Sequence, residues 1–160
     1  MALGSNSSGD RTFLSVGFGK IRQKSVNGKK VDASTEGAVC RETQSGAESW
    51  ALEHDFLTGV IEKIFYKEDT NYGNSFEVII SDGLDMYQLS FAEDSRFWFD
   101  MAKKLPNVNF NEKIKITAYD FEDKQTHKRR AGISLEQNGQ KITSYYDHYD
   151  EETKTWSILH

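Results

Sequence analysis

The sequence predicts a mainly β fold: a five-stranded barrel with one helix between its third and fourth strands. Three observations lead to this prediction. Apolar and polar residues alternate over several stretches of strand length, turn signals separate these stretches, and one longer segment has helical periodicity instead. The 160 residues include ten Phe, seven Tyr and three Trp but one Pro, a composition that suits a folded β-rich body. A chain of this length supports one domain of ordinary size.

The predicted barrel lies between Leu52 and Leu135. Its elements in order are a strand at Leu52–Lys67, a turn at Glu68–Asn74, strands at Phe76–Ser81 and Leu84–Phe91 joined at Asp82-Gly83, a helix at Asp94–Leu105, and strands at Lys113–Phe121 and Arg130–Gln137. Three strands, a helix and two strands is the element order of the OB-fold, a small barrel that often binds single-stranded nucleic acid. We therefore expect an OB-fold domain over residues 17–146.

The first strand has imperfect alternation, so its faces are assigned with the help of Gly59, which is expected to mark a bulge or bend. The residues expected in the core are Val60, Ile64 and Tyr66, and those expected outside are Ile61, Lys63, Phe65 and Lys67. The outer residues form a basic and aromatic row that can stack bases and neutralise phosphates. The alternative is that these lysines are merely solvated.

The next two strands and the helix have clear apolar faces. The hairpin is expected to bury Phe76, Val78, Ile80, Tyr87, Leu89 and Phe91, leaving Ile79, Met86, Gln88 and Ser90 outside. Asp94 or Ser95 can cap the helix, Pro106 ends it, and its apolar stripe plugs the barrel. That stripe consists of Phe97, Trp98, Met101, Ala102 and Leu105.

The last hairpin carries the strongest functional signal. Ile114, Ile116, Ala118, Ile133 and Leu135 are expected to face inward, which leaves Tyr119 and Phe121 outside. In the loop that follows, Glu122–Arg130, four Lys and Arg outnumber two acids. Cations beside exposed rings are typical of single-strand binding, although a solvated hairpin tip would have the same composition.

The regions outside the barrel are expected to be less regular. Residues 1–16 are predicted to be a flexible leader, and Phe13–Ala47 a basic arm containing one short strand at Gly37–Thr43. Gln137–Tyr146 is predicted to form an extra hairpin with Asn138-Gly139 at its turn. Residues 147–160 are expected to be a mobile acidic tail, either solvating or recruiting other proteins.

Charge and motifs exclude several classes of protein. The net charge of −5 argues against a general polyanion binder, unless the two signs are segregated. Cys40 is the only cysteine, so no intrachain disulfide forms and a reducing compartment such as the cytoplasm is expected. No apolar run approaches the roughly 18 residues of a membrane span. The four histidines are scattered, and no phosphate-binding loop or nucleophile motif is present, so we predict no enzyme and no metal or cofactor. A nuclease that uses scattered carboxylates and a metal stays open.

Several short motifs give the chain a resemblance to a known family. They are Gly17-Phe18-Gly19-Lys20, Leu57-Thr58-Gly59-Val60-Ile61, Asn71-Tyr72-Gly73, Ile80-Ser81-Asp82-Gly83 and Tyr119-Asp120-Phe121. With the element order, they make residues 17–150 resemble a bacteriophage-type single-stranded-DNA-binding protein of OB-fold type. The resemblance implies a protein that coats single-stranded DNA during replication or recombination in a host cytoplasm. It also implies an acidic tail that recruits replication or recombination proteins.

The predicted nucleic-acid contacts follow from these patterns. Stacking is assigned to Phe65, Tyr72, Tyr119 and Phe121. Phosphate contacts are assigned to Lys63, Lys67, Lys124, Lys128, Arg129 and Arg130, with Lys20, Arg22 and Lys24 from the arm. Two other functions remain open, an OB-type protein-interaction or assembly module and an RNA-binding protein, since stacking and charge do not distinguish the sugars.

Overall fold

The computed structural model describes residues 11–71, 73–144, 147–150 and 155–158, the last two segments as backbone only. These residues form one α-helix, α1 (Arg96–Lys104), and a 3₁₀ turn at Leu105–Asn107. The strands are β1 (Arg11–Gly17), β2 (Lys20–Gln23), β3 (Ser25–Val26), β4 (Lys29–Lys30), β5 (Val39–Glu42), β6 (Glu48–His54), β7 (Phe56–Lys67), β8 (Ser75–Asp82), β9 (Asp85–Ala92), β10 (Ile114–Glu122), β11 (Arg129–Gln137), β12 (Gln140–Ile142), β13 (Asp147–Asp150) and β14 (Thr155–Ile158). The prediction of a mainly β fold is confirmed.

One large sheet of ten strands dominates the structure, in the order β12-β11-β10-β7-β8-β9-β1-β2-β6-β5. The predicted elements are present as β7, β8, β9, α1, β10 and β11, in the expected sequence order. The sheet does not close into a barrel, however, so the OB-fold itself is not confirmed.

The reason for the open sheet lies at two strand edges. A five-strand barrel would require β11 to pair with the free edge of β9, but β1 occupies that edge in parallel, with Leu14 opposite Leu89. Strand β12 covers residues 135–137 of β11, and helix α1 takes the place of a strand beside Ile133. The backbone N–H of Ile133 donates to Asp100 Oδ2 at 2.7 Å, and Lys104 Nζ donates to the carbonyl of Ile133. These contacts satisfy backbone groups that a closing strand would otherwise pair.

The core lies between α1 and one face of the sheet, as the alternation of β8 and β9 predicted. Register pairs Phe76 with Phe91 and Val78 with Leu89 on the buried side. The ring of Trp98 stacks on that of Phe76 with centroids 4.4 Å apart. The hydroxyl of Ser95 caps α1 by accepting from the N–H of Phe97, one of the two predicted caps. Hairpin β8–β9 turns at Gly83-Leu84, one residue later than predicted.

The predicted first strand is two strands, β6 and β7, separated by a bend at Asp55. A register shift between Ile61 and Lys63 changes the face of the strand, so Ile61 is buried and Val60 is not part of the core, contrary to prediction. Gly59 is not at this bulge. Position 59 itself requires glycine, because a Cβ on this residue would lie 2.5 Å from the carbonyl oxygen of Ser81.

From Arg11 onward the N-terminal region is β structure rather than a flexible leader and arm: β1, β2, β5 and β6 belong to the large sheet, and β3 and β4 form a separate two-stranded ribbon. Residues 1–10 lie outside the described residues, but from Arg11 onward the chain forms β1 to β6. Leu14 and Ile21 are buried in the core, which the weak periodicity of this region did not reveal. The predicted strand at 37–43 is confirmed as β5.

The C-terminal region contains two hairpins. The predicted turn at Asn138-Gly139 is confirmed, because Gln137 pairs with Gln140 across it. Within the predicted acidic tail, β13 and β14 pair antiparallel as a separate two-stranded ribbon. The other residues after Ser144 lie outside the described part of the chain.

Candidate nucleic-acid interface

The face of β7, β8, β9, β1 and β2 turned away from α1 is called the outer face here. Strand register places two rows of side chains across it. The first row is Phe65, Glu77, Ser90, Ser15 and Arg22, and the second is Lys63, Ile79, Gln88 and Phe13. The centre of this face is polar or aliphatic, as predicted, and its phenylalanines lie on the flanking strands β7 and β1.

A cleft of about 540 Å³ opens on the outer face. Its floor comes from β8 and β9, one wall from β1, β2 and the β5–β6 hairpin, and the other from the end of β7 and the turn before β8. The lining includes Phe18, Lys24 and Thr43 on the first side, Lys67 and Asn74 on the second, and Ser75, Glu77 and Ser90 on the floor. This volume is within the range of small-molecule sites in proteins.

The floor of the cleft is built around Glu77, whose side chain is 4% exposed. Its carboxylate accepts hydrogen bonds from Ser75 Oγ and Ser90 Oγ, both at 2.6 Å, and from Gln88 Nε2 at 2.8 Å. These donors compensate the burial of the carboxylate. Because both serine hydroxyls donate to Glu77, their oxygens remain available as acceptors for N–H groups of a ligand.

Arg22, predicted to bind phosphate from a basic arm, lies in β2 on the outer face and is not available for phosphate. Its side chain is 2% exposed and donates to Glu53 Oε2 at 3.0 Å and to Ser49 Oγ at 2.7 Å. Arg41 also binds Glu53, and its hydrogen bond is the largest influence that lowers the pKa of that carboxyl; burial opposes the shift. The Arg22 prediction is therefore corrected: this guanidinium neutralises a buried carboxylate within the protein.

The other predicted cations of the outer face differ in availability. Lys20 forms a salt bridge with Asp55. Over the described part of the chain, Lys24, Lys63 and Lys67 have no salt-bridge partner. The ammonium of Lys63 lies 5.3 Å from the ring centroid of Phe65, its neighbour on the same side of β7. Three predicted cations and one predicted ring are thus brought together on the outer face.

The tip of the β10–β11 hairpin holds the remaining predicted residues. Arg129 binds Asp120 through two nitrogens, at 2.8 and 2.5 Å, and Arg130 Nε lies 3.3 Å from Asp123 Oδ2. The Asp120 pKa is lowered, chiefly by the hydrogen bond from Arg129. Lys124 and Lys128 have no salt bridge among the described residues. Half of the predicted positive charge of the loop is therefore neutralised locally.

The two predicted rings of β10 differ in exposure. Phe121 is 52% exposed, as expected for a ring that contacts a ligand. Tyr119 is half-buried, and a Cβ on Gly132 would lie 2.9 Å from its hydroxyl oxygen. Burial raises the pKa of Tyr119, and the charge of nearby Asp100 adds to this shift. Tyr72 lies outside the described residues.

The cleft and the hairpin tip lie toward opposite ends of the sheet, and the β1–β2 turn joins them. Strand β7 pairs with β10 only through residues 56–59, so the Lys63–Lys67 end of β7 points away from the tip. At the turn, the backbone of Gly19 lies against Asp120 while Phe18 lines the cleft. Sequence reasoning missed Phe18, although it stands between two glycines in a motif already recognised.

The described residues provide neither a metal-binding cluster nor a membrane-spanning helix. They contain no group of three or more His, Cys, Asp or Glu side chains placed to hold a metal ion. None of their helices combines the length and apolar character needed to span a bilayer. In comparisons with known proteins, no family model, no curated protein and no solved structure matches this chain.

Proposed function

We propose that this protein binds single-stranded DNA with little sequence preference, without catalysis, and serves replication or recombination. The observation that supports the proposal best is the cleft of the outer face. Its opposite walls carry Lys24 and Lys67, which have no salt bridge among the described residues, and its lining includes the ring of Phe18. Cations that bind phosphates beside rings that stack bases are the usual means of binding single strands without base readout.

The charge distribution is compatible with this function despite the net charge of −5. Several acidic groups near the predicted site are already neutralised, among them Glu53, Asp55 and Asp120. Lys24, Lys63 and Lys67 on the outer face have no salt bridge among the described residues. A surplus of acids elsewhere would direct DNA toward this face by repelling it from other surfaces.

The proposed path of the DNA follows from the positions of these lysines and rings. The DNA backbone would cross the cleft between Lys24 and Lys67 and continue past the β1–β2 turn toward Phe121 and the lysines of the hairpin tip. Bases would enter the cleft above Ser75 and Ser90, whose oxygens can accept hydrogen bonds from any base N–H. A duplex would not offer its bases in this way, so the proposal predicts a preference for single strands.

The test is a fluorescence-anisotropy titration with labelled oligo-dT, a DNA duplex and an RNA of equal length at several salt concentrations. We expect tighter binding of oligo-dT than of duplex, and an affinity that falls steeply with salt. Equal affinity for duplex, or no binding at low salt, would refute the proposal. Tighter binding of RNA would instead indicate an RNA-binding protein, and a salt-resistant protein contact with no nucleic-acid binding would indicate an assembly module.

A charge variant locates the binding site. Replacing both Lys24 and Lys67 by glutamine should reduce the slope of log affinity against log salt by about 1.4, since each single-strand phosphate contact contributes roughly 0.7. Lys103→Gln is a matched control, because Lys103 is exposed on α1, on the other side of the sheet. It should leave the slope unchanged.

A further inference from the structure

Among the described residues, three hairpins have the same two-residue turn, and one of these turns contains an unusual residue. Both turn residues have positive φ at Phe18-Gly19 (+56° and +73°), Asn27-Gly28 (+52° and +80°) and Asn138-Gly139 (+53° and +75°). In this turn the first position favours Asn, Asp or Gly, which tolerate the left-handed conformation. The chain uses Asn in two of the turns and Phe in the third.

Phenylalanine is unfavourable at such a position. Its Cβ crowds the backbone in the left-handed region, so a bulky residue with positive φ is a genuine outlier. Such residues persist where the surrounding structure holds them, often at binding sites. Here the neighbouring Gly19 lies against Asp120, where a Cβ would come within 2.5 Å of the Asp120 Cβ, so the turn is in close contact with β10 on this side.

Packing does not explain the choice of Phe18. Its ring is 41% exposed and does not belong to the hydrophobic core. It lines the cleft, and the guanidinium carbon of Arg22 lies 5.0 Å from its centroid. Arg22 is itself held by Glu53 and Ser49. A buried, fixed cation therefore supports a partly exposed ring at the junction between the cleft and the hairpin tip.

We propose that Phe18 is a base-stacking platform, fixed in advance by the strained turn and by Arg22, where single-stranded nucleic acid passes from the cleft to the hairpin tip. This inference rests on the proposed function and adds a specific residue to it. A ring that is fixed before binding loses little conformational entropy when a base stacks on it, which strengthens binding. The Arg22–Glu53–Ser49 network is then the support of the platform.

Phe18→Asn is the decisive variant, because it gives this turn the residue found in the other two. Its melting temperature should equal that of the wild type or exceed it by about 2–4 °C, since relief of strain offsets the lost ring contacts. Its affinity for oligo-dT should fall roughly five- to 150-fold, the effect of losing one stacked base. The salt slope should not change, because no charge is removed.

Two further binding measurements distinguish base stacking on Phe18 from its other contributions to affinity. An abasic oligonucleotide of the same length should bind the wild type more weakly than oligo-dT, and Phe18→Asn should narrow this difference. Phe18→Trp should retain affinity for oligo-dT. If the wild type binds neither oligonucleotide, the proposed function fails together with the platform. If the wild type binds and Phe18→Asn has the same preference for oligo-dT, the platform alone is refuted. A melting temperature lowered by more than about 5 °C would mean that the ring serves the fold.

Discussion

Replacing Glu53 by glutamine removes the carboxylate that neutralises Arg22, a cation whose side chain is 2% exposed. Arg22 would keep its bonds to Ser49 and to the carbonyl of Val39, but no charged partner would remain. Breaking one side of a buried ion pair costs about 3–5 kcal/mol. For a chain of this size each kcal/mol lowers the melting temperature by about 2–4 °C. We therefore expect Glu53→Gln to melt about 6–20 °C below the wild type at neutral pH.

The pH dependence gives this prediction a second readout. The pKa of Glu53 is lowered in the folded protein, first by the hydrogen bond from Arg41. A lowered carboxyl pKa stabilises the fold above the unfolded pKa, and this stabilisation is lost as the pH falls through the folded pKa. The difference in free energy of unfolding between the wild type and the variant should therefore be largest above the ordinary glutamate pKa of about 4.3. It should shrink as the pH falls below that value and through the lowered pKa of the folded protein.

The assays are thermal and urea denaturation followed by circular dichroism, at neutral pH and at several acidic pH values. Glu48→Gln is a suitable control, since Glu48 is an exposed acid on the same strand. It should change the free energy of unfolding by less than about 0.5 kcal/mol. The reasoning is refuted if Glu53→Gln loses less than about 1 kcal/mol at neutral pH, or if its deficit persists unchanged in acid.

Three other substitutions test separate parts of the structure. Phe121→Ala should weaken oligo-dT binding at least about fivefold in the anisotropy titration while changing the melting temperature by less than about 2 °C, because the ring is 52% exposed; a large loss of stability would mean that the ring belongs to the core. Gly59→Ala should lower the free energy of unfolding, measured by urea denaturation, by roughly 1–3 kcal/mol, since the Cβ of alanine would collide with the backbone of β8. Gly17→Ala, whose Cβ would meet nothing within 4 Å, is the control, and equal stability of the two variants would contradict the close approach at Gly59. Asp100→Asn should lower the free energy of unfolding by about 1–3 kcal/mol, because it removes the carboxylate charge that accepts a hydrogen bond from the Ile133 N–H and pairs with Lys104. Hydrogen exchange at the Ile133 amide should become faster. Unchanged protection of this amide would show that α1 does not stabilise this edge of the sheet.

Local patterns predicted the central hairpin, the helix and the turn at Asn138-Gly139. In β8 and β9 the period of two correctly assigns side chains to the two faces of the sheet, because successive positions point to opposite faces. It does not report exposure, since Glu77, Ile79 and Gln88 on the outer face are also buried. The buried side of the helix was also predicted correctly from local spacing, since Trp98 and Met101 lie on one side of α1. These features depend on residues close together in the chain.

The errors involve contacts between distant segments. Ser49 and Glu53, which occupy Arg22, are 27 and 31 residues away from it, so no local pattern distinguishes this arginine from a phosphate ligand. The same holds for β1, which joins the sheet by pairing with β9. In β7, a single register shift moved Ile61 to the buried side because one extra residue reverses the facing of a strand.

Local sequence patterns were sufficient to establish the mainly β class and the order of the central elements. They also identified most of the cations and rings from which a nucleic-acid interface could be built. The folded arrangement was needed to show that the sheet stays open, which of those cations are already neutralised, and that Phe18, Lys24 and Lys67 line one cleft. Periodicity reports which side of a strand or helix is apolar. It carries no information about which distant charge lies opposite a given residue, and that opposition decides whether a cation is free to bind a ligand.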